Sequence, residues 1–187
     1  MGHDDELWQE FNELGERIEN GGRNPELGNP KSDEDVYVGG AVMWVYRRTD
    51  DGGVELLMQK RSQYVDGNAG KWDVSAGGHV NYGERWADAA AREAKEEIGL
   101  RVLEGRMKFG FMVEHTQIDT NMINGYFFYD YTGLRDEFHF DDKEVEEVKW
   151  IPIGEFDNFV QEYAKRPVRE DKYVLGLVKA WVLGERV

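Results

Sequence analysis

Residues 77–100 read GGHVNYGERWADAAAREAKEEIGL, and no other stretch constrains the chain as strongly. From about 85 to 98, Ala87, Ala90, Ala91, Ala94 and Ile98 fall on one stripe at ~100° per residue, and Gly99 stands where a helix C-terminal glycine belongs. The spacing predicts an α-helix whose small residues let it lie close to a sheet. Glu93 and Glu97 lie on one side of that stripe, with Glu96 further round. Like charges at such spacings destabilise an isolated helix by about 0.2–0.5 kcal/mol per pair, and the macrodipole disfavours them near the C-terminal end. Local stability therefore does not explain them. A hard divalent cation such as Mg²⁺, which takes carboxylate, carbonyl and water oxygens, would. Spacing alone also permits a solvated helix laced by Asp88 with Arg92 and Arg92 with Glu96.

Composition narrows the surroundings of this helix. A chain of 187 residues is long enough to bury roughly 70% of its unfolded surface in one domain. The absence of cysteine removes disulfides, thiolate metal sites and cysteine nucleophiles together. Asp and Glu outnumber Lys and Arg by 38 to 23, a formal charge of −15, which repels a long polyanion and argues against extended nucleic-acid binding. Solubility or adaptation to high salt accounts for the excess without a partner. Small anionic substrates stay compatible with it, because a bound cation inverts the local field. No run approaches ~18 apolar residues, and the opening MGHDDELWQE lacks a basic-then-apolar leader, so the expectation is a cytoplasmic protein without a membrane partner.

Residues 1–34 read as an extension packed on the main domain, which occupies 35–187. In the extension, Leu7, Phe11, Leu14 and Ile18 recur at helical spacing, yet NELG and ENGG supply the turns of a hairpin, which is the preferred reading. A linker rich in Gly, Asn and Pro leads to VYVGGAVMWVYRR, and TDDGG turns that strand into VELLMQKR. SQYVDGNAG reads as a loop and KWDVSA as a short strand. Beyond the helix, LRVLEG, RMKFGFMVEH, MINGYFFYDYTG and KEVEEVKWIPI are four further strand candidates. Two helices close the chain, GEFDNFVQEYAKR, stopped by Pro167, and REDKYVLGLVKAWVLGERV. Strands first and helices later imply an α/β fold with a mixed sheet between helices.

The full pattern is Gly78, five residues, Glu84, seven residues, Arg92-Glu93-Ala94, one residue, Glu96-Glu97, one residue, Gly99-Leu100. It resembles the Nudix box of the Nudix hydrolases at every fixed position. LLMQKRS and GKWDVSAGGHV are similar to the subgroup related to isopentenyl-diphosphate isomerase, and VEEVKWIPIGEF resembles the family's closing strand and helix; an N-terminal hairpin is common in that subgroup. The resemblance implies a Nudix-type α/β/α sandwich and a Mg²⁺-dependent hydrolase, with Mn²⁺ as a substitute, that splits the pyrophosphate of a nucleoside diphosphate linked to another group. It further implies that the Gly78 carbonyl with Glu93, Glu96 and Glu97 binds the metal, that Arg92 holds a carboxylate in place, and that Glu84 and Gly99 are structural. Glu93 and Glu144 are the two candidates for the general base. Many relatives are dimers, so a homodimer is an expectation.

Two other classes remain in view. A non-catalytic Nudix-fold binding module or regulator would be expected to have lost box carboxylates, and this box is complete. Isopentenyl-diphosphate isomerase transfers its proton through a cysteine, which this chain lacks. Among the remaining residues, Arg61 and Lys71 flank the loop before the box and are candidates for meeting substrate phosphates. Tyr82 and Trp86 are read mainly as packing or exposed surface, His79 and His115 as satisfied histidines, and Gly39 as a strand glycine near another backbone. The signatures of NADH, coenzyme A and ADP-ribose members, one before the box and the others after it, are not found, so the substrate is unassigned.

Overall fold

Apolar residues fill nearly every position of the stretch YVGGAVMWVYRR, as a strand covered on both faces requires. In the computed structural model, which describes residues 7–31, 34–65, 68–117, 120–135, 137–141, 143–163 and 172–184, this stretch is the central strand. In chain order the strands are β1 (Trp8–Phe11), β2 (Arg17–Arg23), β3 (Tyr37–Arg48), β4 (Val54–Arg61), β5 (Trp72–Asp73) and β6 (Ala76–His79). Helix α1 (Trp86–Ile98) follows, then β7 (Met107–Gln117), β8 (Thr120–Asp130), β9 (Val145–Pro152), α2 (Phe156–Tyr163) and α3 (Lys172–Leu183).

The two edges of β3 organise the sheet. Strand β8 runs parallel along one edge from Val38 to Tyr46 and carries antiparallel β7 beyond it. The other edge is shared in turn by β1 at Tyr37 and Val38, β6 from Gly40 to Met43, and β4 from Tyr46 to Arg48, all antiparallel. Strand β4 then pairs with β9 and β5. Because side chains alternate, Val42, Trp44 and Tyr46 face one way and pack with Phe156, Val174 and Val178 of α2 and α3. Ala41, Met43 and Val45 face the other way, against Ala89, Ala90, Ala94 and Ile98 of α1. The result is an α/β/α sandwich with a mixed sheet. No helix among the described residues is long and apolar enough to cross a membrane.

The first described residues form a hairpin, β1 with β2, that joins the same sheet through β3. Its apolar residues do not share one helical face: Phe11 is fully buried whereas Leu14 is exposed. Three local expectations are corrected. LRVLEG forms no strand; Val102 packs into the cluster beneath α1 and Leu103 is exposed, so their apolar character serves a loop covering a core edge. The fully buried alanines of α1 are 89, 90 and 94, so the contact stripe is rotated toward Ala89 relative to the one read through Ala87 and Ala91. Asp88 pairs with Arg85, not Arg92. The expected stop at Pro167 lies outside the described residues.

Candidate metal and substrate site

Gly99 adopts the left-handed conformation (φ 69°) and its N–H closes the end of α1 on Ala94 and Lys95, which fixes where the last turn stops. That turn sets Glu97 under the sheet and Glu96 in solvent: Glu97 is 4% exposed, and the Glu96 side chain 49%. The backbone N–H of Gly77 on β6 donates to Glu97 Oε2 at 2.9 Å, and Gln59 Nε2 on β4 donates to the same oxygen at 3.0 Å. Both donors are neutral. Burial, then the nearby Glu93 charge, push the Glu97 carboxyl well above the usual range, more than these two hydrogen bonds lower it; Asp73 pushes it the same way.

Glu93, one turn earlier on α1, lies across Gly78. A Cβ built on Gly78 would stand 2.2 Å from Glu93 Oε1, so only glycine lets the carboxylate rest on β6. Burial raises the Glu93 carboxyl, Arg92 opposes that, and the charges of Glu96 and Glu144 add to it. Glu144, just before β9, is thus within electrostatic reach of Glu93, and its carbonyl accepts from Ser62 N–H at 2.7 Å.

Arg92 is the hub of the cluster. Its Nε and Nη2 donate to the two carboxylate oxygens of Glu84 at 3.0 and 3.1 Å, and Nη2 also donates to the His79 carbonyl at 2.9 Å. Nη1 reaches Glu93 at 2.7 Å and Glu96 at 3.0 Å. Burial alone would lower the guanidinium pKa, but the hydrogen bonds and charges of Glu84 and Glu93 overcome it and hold the group firmly charged. Glu84 in turn accepts from Asn81 N–H at 3.0 Å, which fixes the turn before the helix. The bidentate geometry is one that lysine would not reproduce.

The hairpin braces the same turn. Trp8 stacks on His79 at 3.7 Å, Gln9 accepts from Gly83 N–H at 3.1 Å, and Arg17 donates to the carbonyls of Gly83 and Glu84. His79 Nε2 also lies 3.2 Å from Asn29 Oδ1, and His115 Nε2 lies 3.1 Å from the Tyr126 hydroxyl. Trp86 packs on Phe11 at 4.5 Å, and both rings crowd the position a side chain at Gly39 would take. Gly39 therefore admits rings where proximity to another backbone was expected. Tyr82 is half exposed. Arg61 and Lys71 meet through the backbone, Arg61 N–H donating to the Lys71 carbonyl at 2.8 Å, while Lys71 Nζ donates to Asn68 Oδ1 at 3.2 Å.

These residues suit a hard divalent cation by donor chemistry: oxygen donors only, and at Glu97 a buried carboxylate faced by neutral groups. Among the described residues, no three His, Cys, Asp or Glu side chains already converge as a cage, because Glu93 and Glu96 are turned onto Arg92 and Glu97 onto Gly77 and Gln59. Sequence reasoning missed Gln59, Asp73 and the Gly77 N–H. The one available signal was Gln59 itself, a polar residue directly after the three apolar residues Leu56, Leu57 and Met58.

Comparison with known proteins supports the same frame. A family model described as NUDIX domain matches residues 38–171. Nudix hydrolase 3 of Arabidopsis thaliana is 32% identical over 126 residues, 63% of this chain but 16% of that protein, so the chain matches only a small part of that relative's length. A crystal structure from Deinococcus radiodurans superposes with a TM-score of 0.67 at 18% identity, covering 92% of this chain and 97% of the other. The NUDIX domain of Shewanella oneidensis NrtR, in complex with ADP ribose, gives a TM-score of 0.62 at 10% identity, covering 84% and 96%. At these identities the two structures speak for the fold alone.

Proposed function

This chain belongs to the Nudix family, and we propose that it is a Mg²⁺-dependent hydrolase that splits the pyrophosphate linkage of a nucleoside diphosphate joined to another group. The observation that carries this reading is Glu97, a carboxylate buried at the foot of α1 with neutral hydrogen-bond donors and no cationic side chain paired to it among the described residues. A protein has little to gain from such a charge unless a cation completes it.

The Gly78 carbonyl, Glu93, Glu96 and Glu97 are the groups that would hold the metal. Bound there, Mg²⁺ or Mn²⁺ would offset the negative charge of the phosphates and lower the pKa of a water molecule. Arg92 keeps Glu93 and Glu96 in reach of one another and is itself anchored by Glu84 and the His79 carbonyl, so the carboxylates are ordered before substrate arrives. Glu93 and Glu144 are the two carboxylates offered as proton acceptor for the attacking water; Glu93 belongs to the cluster, and Glu144, just before β9, acts on it through its charge. Arg61, the last residue of β4, and Lys71, whose carbonyl accepts from the Arg61 N–H, are offered as positive charge for the phosphate groups in a molecule that is otherwise strongly acidic.

The test is a panel of nucleoside diphosphate-linked compounds, including ADP-ribose, incubated with MgCl₂ or EDTA, with both products identified by mass. The expected result is Mg²⁺-dependent formation of two phosphorylated products from at least one compound. Folded protein without turnover of any panel member in Mg²⁺ or Mn²⁺ would favour a non-catalytic Nudix-fold nucleotide-binding module. Proton exchange into isopentenyl diphosphate is not expected from a chain without cysteine.

A further inference from the structure

Gln59 is the largest polar side chain in the core of β4, 1% exposed, between Met58 and Lys60 on a strand whose neighbours 56–58 are fully buried and apolar. Its amide N–H₂ is committed to Glu97 Oε2 at 3.0 Å. Facing an acceptor fixes the amide orientation, so Oε1 must point the other way, and that oxygen is buried without a hydrogen-bond partner. Buried polar atoms are seldom left orphaned, and a glutamine kept in an apolar strand despite one needs a compensating reason.

The donor pattern on Glu97 supplies one. Gln59 Nε2 and Gly77 N–H converge on a single oxygen, Oε2, one from β4 and one from β6. The carboxylate is thereby pinned on one side while Oε1 is left to the site. A lysine or arginine in place of Gln59 would also pin it, but would neutralise the charge that a divalent cation needs. Asp73 lies directly across from Gln59 in the β4–β5 pair and adds negative potential at Glu97. We propose that Gln59 is a positioning residue, a neutral clamp from the strand opposite α1 that orients Glu97 for a divalent cation without discharging it. This rests on the metal-dependent reading of the site above and assigns a role to a residue outside the glycine-to-leucine pattern of 78–100.

The test compares wild type, Gln59→Met and Gln59→Lys by thermal unfolding across a MgCl₂ titration starting from EDTA, at matched ionic strength. Methionine keeps the length and apolar packing while removing both the clamp and the orphan oxygen. Lysine keeps a donor but brings a charge. Wild type is expected to gain stability with Mg²⁺; Gln59→Met should be at least as stable as wild type in EDTA yet need roughly 10- to 100-fold more Mg²⁺ to reach half its shift, the loss typical when a partner of a metal ligand is removed. Gln59→Lys should be stable in EDTA and unresponsive to Mg²⁺. A Gln59→Met or Gln59→Lys protein that titrates at the wild-type midpoint would overturn the role of Gln59. If Gln59→Met fails to fold, the Gln59→Lys titration decides the matter alone. Absence of any Mg²⁺ response in wild type would contradict the metal reading as a whole, and so is distinguishable from failure of the clamp.

Discussion

At the scale of single residues, Glu97 combines burial, two neutral hydrogen bonds and two neighbouring acids. Its carboxyl titrates well above the ordinary value of 4.5 in the metal-free fold, with burial as the main cause. A raised acid pKa means that the folded state holds the proton more tightly than the unfolded chain does. The associated stability is fully present below the unfolded value and is lost as pH rises through the folded one. In EDTA, wild type and Glu97→Gln should therefore have similar urea midpoints in acid, and wild type should fall progressively behind as pH climbs above 4.5. Saturating Mg²⁺ should reverse that trend in wild type, since a metal ligand must be deprotonated. A difference between the two proteins that is constant with pH would show that Glu97 is not a strained buried acid. The cluster as a residue pattern was legible in the sequence, because Gly78, Glu84, Arg92, Glu93, Glu96 and Glu97 follow one spacing along one helix and the turn before it. Gln59 was not, because its contact with Glu97 spans 38 residues and depends on how β4 sits against α1.

At the scale of elements, the hairpin β1–β2 is bound to the box turn by the Trp8–His79 stack, Gln9 and Arg17, and to α1 by Phe11 on Trp86. Phe11→Ala should cost about 3–5 kcal/mol, the usual loss for truncating a buried phenylalanine, and should do so within one cooperative urea transition. A loss below about 1 kcal/mol, or a separate early transition, would mean that residues 1–34 fold apart from the remainder. Elements with long apolar runs, β3, β4 and β8, were readable because both faces of each are covered. LRVLEG misled because alternation reports half-burial and not pairing: Val102 is partly buried and Leu103 exposed, yet neither is paired in a strand. The rotation of the α1 stripe toward Ala89 has a similar origin. Alanine at 87, 89, 90, 91 and 94 leaves several faces able to pack, and the sheet selects among them.

At the scale of the whole molecule, a chain of charge −15 carries a buried carboxylate, Glu97, in its core. General screening by any salt will stabilise such a molecule, so a metal response must be separated from ionic strength. The central claim is that Glu97 belongs to a metal site and not to a decorated helix. The most direct measurement is thermal unfolding of wild type and Glu97→Gln in EDTA and in millimolar MgCl₂, with NaCl adjusted to equal ionic strength. Wild type should gain stability as RT ln(1 + [Mg²⁺]/Kd), and Glu97→Gln, no less stable than wild type in EDTA at neutral pH, should lose most of that gain. Equal Mg²⁺ shifts in the two proteins would contradict the account.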